Sequence, residues 1–247
     1  REKPLNLRPA VAKIIMIIII LNRGDLVDGG LELAELDLPG VTPSRQRRSR
    51  ETTAALLQAG ARMLRNRALD DLSIEELCAE VGVTVGSFYG RFESKDAYFN
   101  ALLALVARDG RSMLVAMDAN ADLRGRDLAT LCDVLVGRII GWMRRHQGVL
   151  RAALQRSGRD RSPWTGFKDL AAATAAQAAP ILLVAMGRSR RTAKARAVAF
   201  GFQTVFGTLV NAILNDPGPL SIDDREMARR LGRCLFLQLD AEMAGRF

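Results

Sequence analysis

Apolar residues recur at intervals of three and four along most of the chain, which is the spacing of an amphipathic helix. Between Arg50 and Arg67 this spacing places Ala54, Leu57, Ala61 and Leu64 on one face. Similar stripes predict further helices at about 125–145, 148–157, 165–187, 190–215 and 222–245. After residue 44 no strand pair, hairpin signal or internal repeat interrupts the pattern. The pattern therefore predicts an all-α protein.

Two short helices joined by a tight turn are predicted between residues 73 and 90. Ser73 and Glu76 form a capping box, in which Ser73 caps the helix and the Glu76 carboxylate reaches back to it. Gly82 ends this first helix, and Thr84 caps a second helix that ends near Gly90. Two short helices around a glycine turn are the helix-turn-helix arrangement, which indicates DNA binding.

The second short helix is predicted to turn small and hydroxyl-bearing side chains outward. Phe88 and Phe92, four residues apart, face the core, which leaves the outside to Thr84, Val85, Gly86, Ser87 and Tyr89. Small side chains let a helix N-terminus enter the major groove, while hydroxyl and backbone N–H groups bond phosphate oxygens. Lys95 begins a long helix that Ser94 caps and that runs toward Met117, and it is placed to add a phosphate contact.

The stretch from Gly82 to Asp96 resembles the signature of the TetR (tetracycline-repressor) family. It consists of Gly82-Val83-Thr84-Val85-Gly86-Ser87-Phe88-Tyr89, then Phe92, then Ser94-Lys95-Asp96. The resemblance runs from about Arg48 to Leu102 and departs from the family pattern at Ala68 and Gly90. It implies a three-helix DNA-binding domain followed by a helical ligand-binding and dimerisation domain. The DNA-binding residues are then expected to be Arg48, Ser73, Thr84, Val85, Gly86, Ser87, Tyr89, Gly90 and Lys95.

The chain is predicted to have three parts: an N-terminal extension at 1–44, the helix-turn-helix domain at 45–102, and the effector and dimerisation domain at 103–247. The extension contains an apolar run from Ile14 to Leu21. This run is too short for a membrane-spanning helix, which needs about 20 residues. Three interpretations stay open: a poorly ordered extension or mis-set translation start, a packed accessory segment, and a membrane or export signal.

Positive charge is concentrated beside the predicted helix-turn-helix. The chain as a whole carries a net charge of +9, which permits a polyanionic partner without proving one. From Arg45 to Arg67, seven arginines and one acid, Glu51, give a net charge of +6. Such a basic arm can reach the DNA backbone or minor groove. A solvated tail is the alternative for the run from Arg45 to Arg50.

The chain offers little material for catalysis or metal binding. His146 is its single histidine, and Cys78, Cys132 and Cys234 lie far apart without metal-ligand spacing. We therefore expect no catalytic residue, no metal and no cofactor, and a protein that is not an enzyme. Reduced, unpaired cysteines fit a cytoplasmic protein. Cys78 is either a small core residue or, less simply, a redox sensor.

The second domain must supply ligand binding and dimerisation if the resemblance holds. Its large or polarisable residues predict a pocket lined by Met113, Trp142, Met143, His146, Phe167 and Phe206. Apolar stripes on the last two helices predict a dimer interface at Phe202, Leu209, Ile213, Met227, Leu231 and Leu235. The same stripes are equally compatible with the core of a single chain.

The sequence as a whole predicts a homodimeric repressor. Two recognition helices would bind double-stranded DNA at a partly palindromic operator, since one short helix contacts too few base pairs for specificity. A small-molecule effector would move the helix after Ser94 and so release the DNA, and no membrane partner is expected. The alternative is a helical carrier of small molecules whose helix-turn-helix is vestigial.

Overall fold

The computed structural model describes residues 38–39, 41–42, 47–118, 123–157, 162–187 and 189–246. Arg45 and the apolar run of the N-terminal extension lie outside these residues, so the three interpretations of the extension stay open. The regular elements of the described residues are helices, which confirms the predicted all-α class. They are α1 (Arg47–Met63), α2 (Ile74–Val81), α3 (Val85–Tyr89), α4 (Lys95–Asp118), α5 (Leu128–Arg156), α6 (Ser162–Ala185), α7 (Arg191–Asn215) and α8 (Arg225–Met243).

Helices α1 to α3 pack around the first turns of α4. The Phe88, Phe92 and Tyr98 rings lie with their centroids 5.0–5.4 Å apart and form the centre of this core. Tyr98 is fully buried, its hydroxyl donates to the Leu56 carbonyl at 2.7 Å, and its burial raises its pKa. A side chain at Gly60 would collide with the Tyr98 hydroxyl, so this glycine allows α4 to lie close to α1.

Helix α5 is the central element of the remaining bundle. It packs against α4, α6, α7 and α8 and also reaches α1. The sequence predicted two helices here, at about 125–145 and 148–157; that prediction was wrong, since α5 is continuous from Leu128 to Arg156. A Cβ at Gly148 would lie 2.5 Å from the backbone carbon and oxygen of Leu64. The glycine therefore serves the close approach of α5 to the end of α1, and the helix passes through it.

Candidate DNA-binding surface and ligand cavity

The N-terminal cap of α2 contains one of the two hydrogen bonds of the predicted capping box. The Ser73 hydroxyl accepts from the Glu76 backbone N–H at 3.2 Å, as expected, and Gly82 ends the helix with a φ of 73°. The Glu76 carboxylate, however, accepts from Arg67 Nη1 at 2.6 Å instead of reaching back to Ser73. Arg67, in the turn after α1, thus takes the carboxylate that the capping box assigned to Ser73.

Helix α3 follows the turn and presents the predicted face to solvent. The Thr84 hydroxyl accepts from the Ser87 backbone N–H at 3.1 Å and fixes the start of the helix. Thr84, Gly86, Tyr89 and Gly90 are exposed, and a Cβ at Gly86 would meet nothing nearer than the Thr84 hydroxyl at 3.9 Å. The exposed surface of α3 at Gly86 is therefore open for close approach by another molecule.

Arg91 fixes the orientation of α3, and the sequence analysis missed it. Its Nη1 donates to the carbonyl and hydroxyl of Ser87, at 2.6 and 2.8 Å, and its Nη2 and Nε donate to the hydroxyl and carbonyl of Ser49, at 3.3 and 3.4 Å. Its own carbonyl accepts from the Thr42 N–H at 2.8 Å, next to the buried Leu38. The Ser87 hydroxyl, predicted to bind DNA, is thus already engaged inside the domain.

Other predicted DNA-binding residues also have structural partners. Lys95 Nζ donates to the Asp70 carbonyl at 3.0 Å and so ties the start of α4 to the loop before α2. Ser73 is occupied as the α2 cap. Arg48 is exposed, and Val85 is half-buried at the start of α3.

The basic cluster around α1 is partly neutralised by acids that lie elsewhere in the fold. Arg48 and Arg50 have no ion-pair partner within the described part of the chain. Their neighbours in the cluster form the pairs Arg47–Glu51 at 2.8 Å, Arg62–Glu80 at 3.4 Å and Arg67–Glu76 at 2.6 Å. The net charge counted along the sequence omitted the two α2 acids and overstates the local charge.

A cavity of about 680 Å³ lies among α4, α5, α6 and α7. Five of the six predicted pocket residues line it, namely Met113, Trp142, Met143, Phe167 and Phe206. Much of the remaining wall is alanine on α6 and α7, at positions 171, 172, 175, 176, 179, 195 and 199. Because such short side chains on facing helices do not fill the space between them, they leave room for a ligand. Alanine gives no sequence signal for a pocket, since it is also the most favourable residue in any helix.

His146, the sixth predicted pocket residue, does not line the cavity but lies behind its wall. Its Nε2 is 2.7 Å from Asp109 Oδ2, and its ring packs against Trp142. Burial lowers the pKa of His146, so the neutral ring donates to the carboxylate. Burial alone would raise the pKa of Asp109, but the hydrogen bond from His146 and the charge of Arg145 lower it. The pair joins α4 to α5.

The six residues predicted for a dimer interface are buried within one protomer. Phe202, Leu209, Ile213, Met227, Leu231 and Leu235 expose 0–7% of their surface. Phe202 also lines the cavity. These side chains belong to the intramolecular core, which was the alternative for both stripes, because α7 and α8 turn their most regular apolar faces toward each other and α5.

Two helices are long and apolar enough to cross a membrane by length and composition, at 166–185 in α6 and across α7. The cavity accounts for much of this apolar character, since both helices supply its alanines. Length and hydropathy therefore do not by themselves make either helix a membrane span.

Comparison with known proteins agrees with this geometry. Residues 56–102 match the family model for bacterial regulatory proteins of the tetR family. A tetR-family transcriptional regulator from Streptomyces coelicolor has a TM-score of 0.56 at 17% identity, over 80% of this chain and 83% of its own. A protein from Mesorhizobium loti MAFF303099 assigned to the same family has a TM-score of 0.57 at 16% identity, over 81% of this chain and 98% of its own. No curated protein matches the chain in sequence.

The fold and the α2–turn–α3 unit define a DNA-binding regulator of the helix-turn-helix class. Residues 56–102 thus resemble the DNA-binding region of the TetR family, and the fold as a whole resembles that of the two solved structures.

Proposed function

We propose that the protein is a homodimeric repressor that leaves its operator when a small molecule fills the cavity. The observation that carries the proposal is the position of α5. This helix lines the cavity with Ile139, Trp142, Met143, Leu150 and Leu154. The same helix contacts the DNA-binding domain at Gly148 and Arg151, within one turn of Leu150, so a ligand that shifts α5 also shifts the DNA-binding domain.

Three residues of α5 contact the DNA-binding domain, and one of them is Arg156, whose Nη2 donates to Asp96 Oδ1 at 2.7 Å at the start of α4. Gly148 lies against the backbone of Leu64. Arg151 Nη1 donates to the Arg65 carbonyl at 3.0 Å, while its Nε donates to the Ile213 carbonyl at 3.1 Å. Helix α4, to which the sequence analysis attributed the movement, supplies only Met113 among the described cavity residues. We therefore place the coupling mainly in α5, with α4 following through the His146–Asp109 pair.

In this proposal the exposed face of α3 enters the major groove. Thr84, Val85, Gly86 and Tyr89 lie closest to the DNA, with Gly90 at the end of the helix. Arg48, together with Lys95 once it exchanges its bond to Asp70, contacts the phosphates. Ser73 and Ser87 act mainly by holding α2 and α3 in place, since their hydroxyls already have partners.

Binding to the DNA upstream of the protein's own gene, measured across a salt series against a scrambled competitor, tests the DNA-binding proposal. We expect specific binding whose log affinity falls linearly with log salt concentration. The variant Arg48→Ala should flatten that slope by about 2, because each of two subunits loses one phosphate contact worth roughly 0.9. Arg124→Ala, at an exposed arginine before α5, is the control and should keep the slope. Equal affinity for the scrambled DNA would favour the carrier alternative.

The proposed dimer uses surface that α7 and α8 leave exposed. On α7 a stripe of exposed residues at spacings of three to four contains Phe200, Thr204, Thr208, Asn211 and Leu214, with Phe200 59% and Leu214 37% exposed. On α8 it continues at Leu237, which is 49% exposed. Exposed apolar side chains aligned on neighbouring helices are typical of an isologous helical interface.

Replacing Leu237 by arginine should convert the dimer into monomers. In a two-fold interface each substitution is present twice, and it buries like charges in an apolar contact. Sedimentation velocity at micromolar concentration measures the change. The control Val115→Arg adds the same charge at a 57% exposed valine on α4 and should stay dimeric. A Leu237→Arg protein that remains a dimer would contradict this interface.

A further inference from the structure

The cavity is apolar along its length but has a cation at its edge. Among its described lining residues, Lys168 on α6 is the sole charged side chain. Lys168 is exposed and makes no hydrogen bond or ion pair with any described residue. Its ammonium group is therefore available to a ligand at the point where the cavity meets solvent.

The other polar groups of the wall offer little to a ligand. The Thr174 hydroxyl donates to the Leu170 carbonyl at 2.8 Å, so its proton is already used. The indole N–H of Trp142 has no hydrogen-bond partner among the described residues, but it is buried and exposes almost no surface to the cavity. Gln203 is exposed and contributes a neutral amide. A polar group deep in the cavity would lose its water without gaining partners, so the body of the ligand must be apolar.

The cavity is elongated along two helices. The lining residues on α6 extend from Phe167 to Ala179 and those on α7 from Ala195 to Val210. At a rise of 1.5 Å per residue these stretches measure about 18 and 22 Å. Because α6 and α7 pack together and are joined by a short connection, they run antiparallel. Lys168 therefore lies at the Val210 end, and the alanines extend from beside it toward the Ala195 end.

We propose, on the basis of the function proposed above, that the effector is an elongated amphiphile with an anionic head. Its apolar chain lies along the alanines of α6 and α7, and its head, a carboxylate or a phosphate monoester, pairs with the Lys168 ammonium group. The length of the cavity favours a ligand with a long chain over one with a compact ring system. The single cation at one end favours a ligand with one anionic group over a ligand with several.

Calorimetric titration with ligands that share one tail tests the proposal. Dodecanoate, dodecyl phosphate, dodecanol and dodecyltrimethylammonium are compared, all below the concentrations at which they form micelles. We expect one anionic ligand to bind per subunit, up to about fivefold more tightly than dodecanol, because an exposed ion pair contributes at most about 1 kcal/mol, which is about fivefold in affinity. The cationic ligand should bind most weakly. Dodecanoate and dodecyl phosphate together distinguish the two head groups.

Two variants and a control locate the ligand. Lys168→Met should lower the affinity for dodecanoate to that for dodecanol and leave the affinity for dodecanol unchanged. Arg124→Met removes the same charge from an exposed site outside the cavity and should alter neither affinity. Ala175→Phe fills the middle of the cavity and should lower the affinity of all four ligands, while the thermal midpoint of the protein stays the same.

Four outcomes would overturn the proposal: no binding of any of the four ligands, equal affinities for all four head groups, a head-group preference that survives Lys168→Met, or ligand binding that survives Ala175→Phe. The effect of dodecanoate on operator affinity is a separate measurement. If dodecanoate binds as described and the operator stays bound, the ligand class stands and the release mechanism fails. If no tail binds, the ligand class fails, while the salt series still decides DNA binding.

Discussion

Replacing Gly86 by leucine should abolish specific operator binding while the protein stays folded. In the free protein a Cβ at this position would meet only the Thr84 hydroxyl, at 3.9 Å, so the larger side chain has room. Leucine is also favoured over glycine inside a helix by about 1 kcal/mol, so the thermal midpoint should hold or rise. Any loss of DNA binding must then come from contact with the DNA itself.

The expected loss follows from the proposed position of α3 in the major groove. A leucine on the outer face holds the start of the helix away from the base edges and phosphates. If each subunit loses about 1–3 kcal/mol of contact energy, two subunits together lower the affinity by at least about 30-fold. Fluorescence anisotropy with a labelled operator fragment measures this loss, and scanning calorimetry follows the fold.

Gly137→Leu is the matched control for Gly86→Leu. Gly137 lies inside α5, where an added Cβ also meets no atom within 4 Å. This variant should gain similar helix stability and keep operator affinity. If Gly86→Leu bound the operator like the unmodified protein, α3 would not approach DNA through this face, and the DNA-binding surface would have to be sought elsewhere.

The sequence could predict the helix-turn-helix because its signals are local. A cap such as Ser73 or Thr84 bonds a backbone N–H three residues away, and Gly82 takes a left-handed φ that favours glycine. The spacing of Phe88 and Phe92 was sufficient to orient α3. Each of these features depends on fewer than ten consecutive residues, and the structure contains each of them.

Features that depend on distant residues were not predicted. Arg91 reaches Ser49 across 42 residues of sequence, and Arg67 takes the carboxylate that the capping box assigned to Glu76. No pattern in the neighbouring sequence indicates which partner either arginine binds. The cavity presents a related difficulty: five of its large side chains were found by type, but the alanines that create its volume look like ordinary helix formers.

The apolar stripes on α7 and α8 show a second limit of sequence patterns. Periodicity identifies the apolar face of a helix but does not say whether that face is covered by the same chain or by another. Here the same chain covers it, and the candidate interface is the less regular stripe with Phe200 and Leu237. Gly148 illustrates the same point, since a glycine that ends a helix and one that lets two helices touch look alike in sequence.

Replacing Gly148 by alanine should destabilise the protein and weaken operator binding together. The added Cβ would lie 2.5–2.6 Å from backbone atoms of Leu64 and Arg65, which cannot rotate away as a side chain could. The end of α1 must therefore move from α5, at a cost of about 1–3 kcal/mol. For a chain of this size a loss of about 2 kcal/mol lowers the thermal midpoint by roughly 4–8 °C.

Gly141→Ala separates this effect from a general response of α5 to alanine. Gly141 lies two turns earlier on the same helix, where an added Cβ meets nothing within 4 Å, so this variant should be as stable as the unmodified protein or more so. Operator affinity is compared well below both thermal midpoints. A lowered midpoint for Gly148→Ala with unchanged operator affinity would mean that the α1–α5 contact supports the fold without transmitting the ligand signal. Reduced affinity in the folded Gly148→Ala protein alone would support this contact as the path between the cavity and the DNA-binding domain.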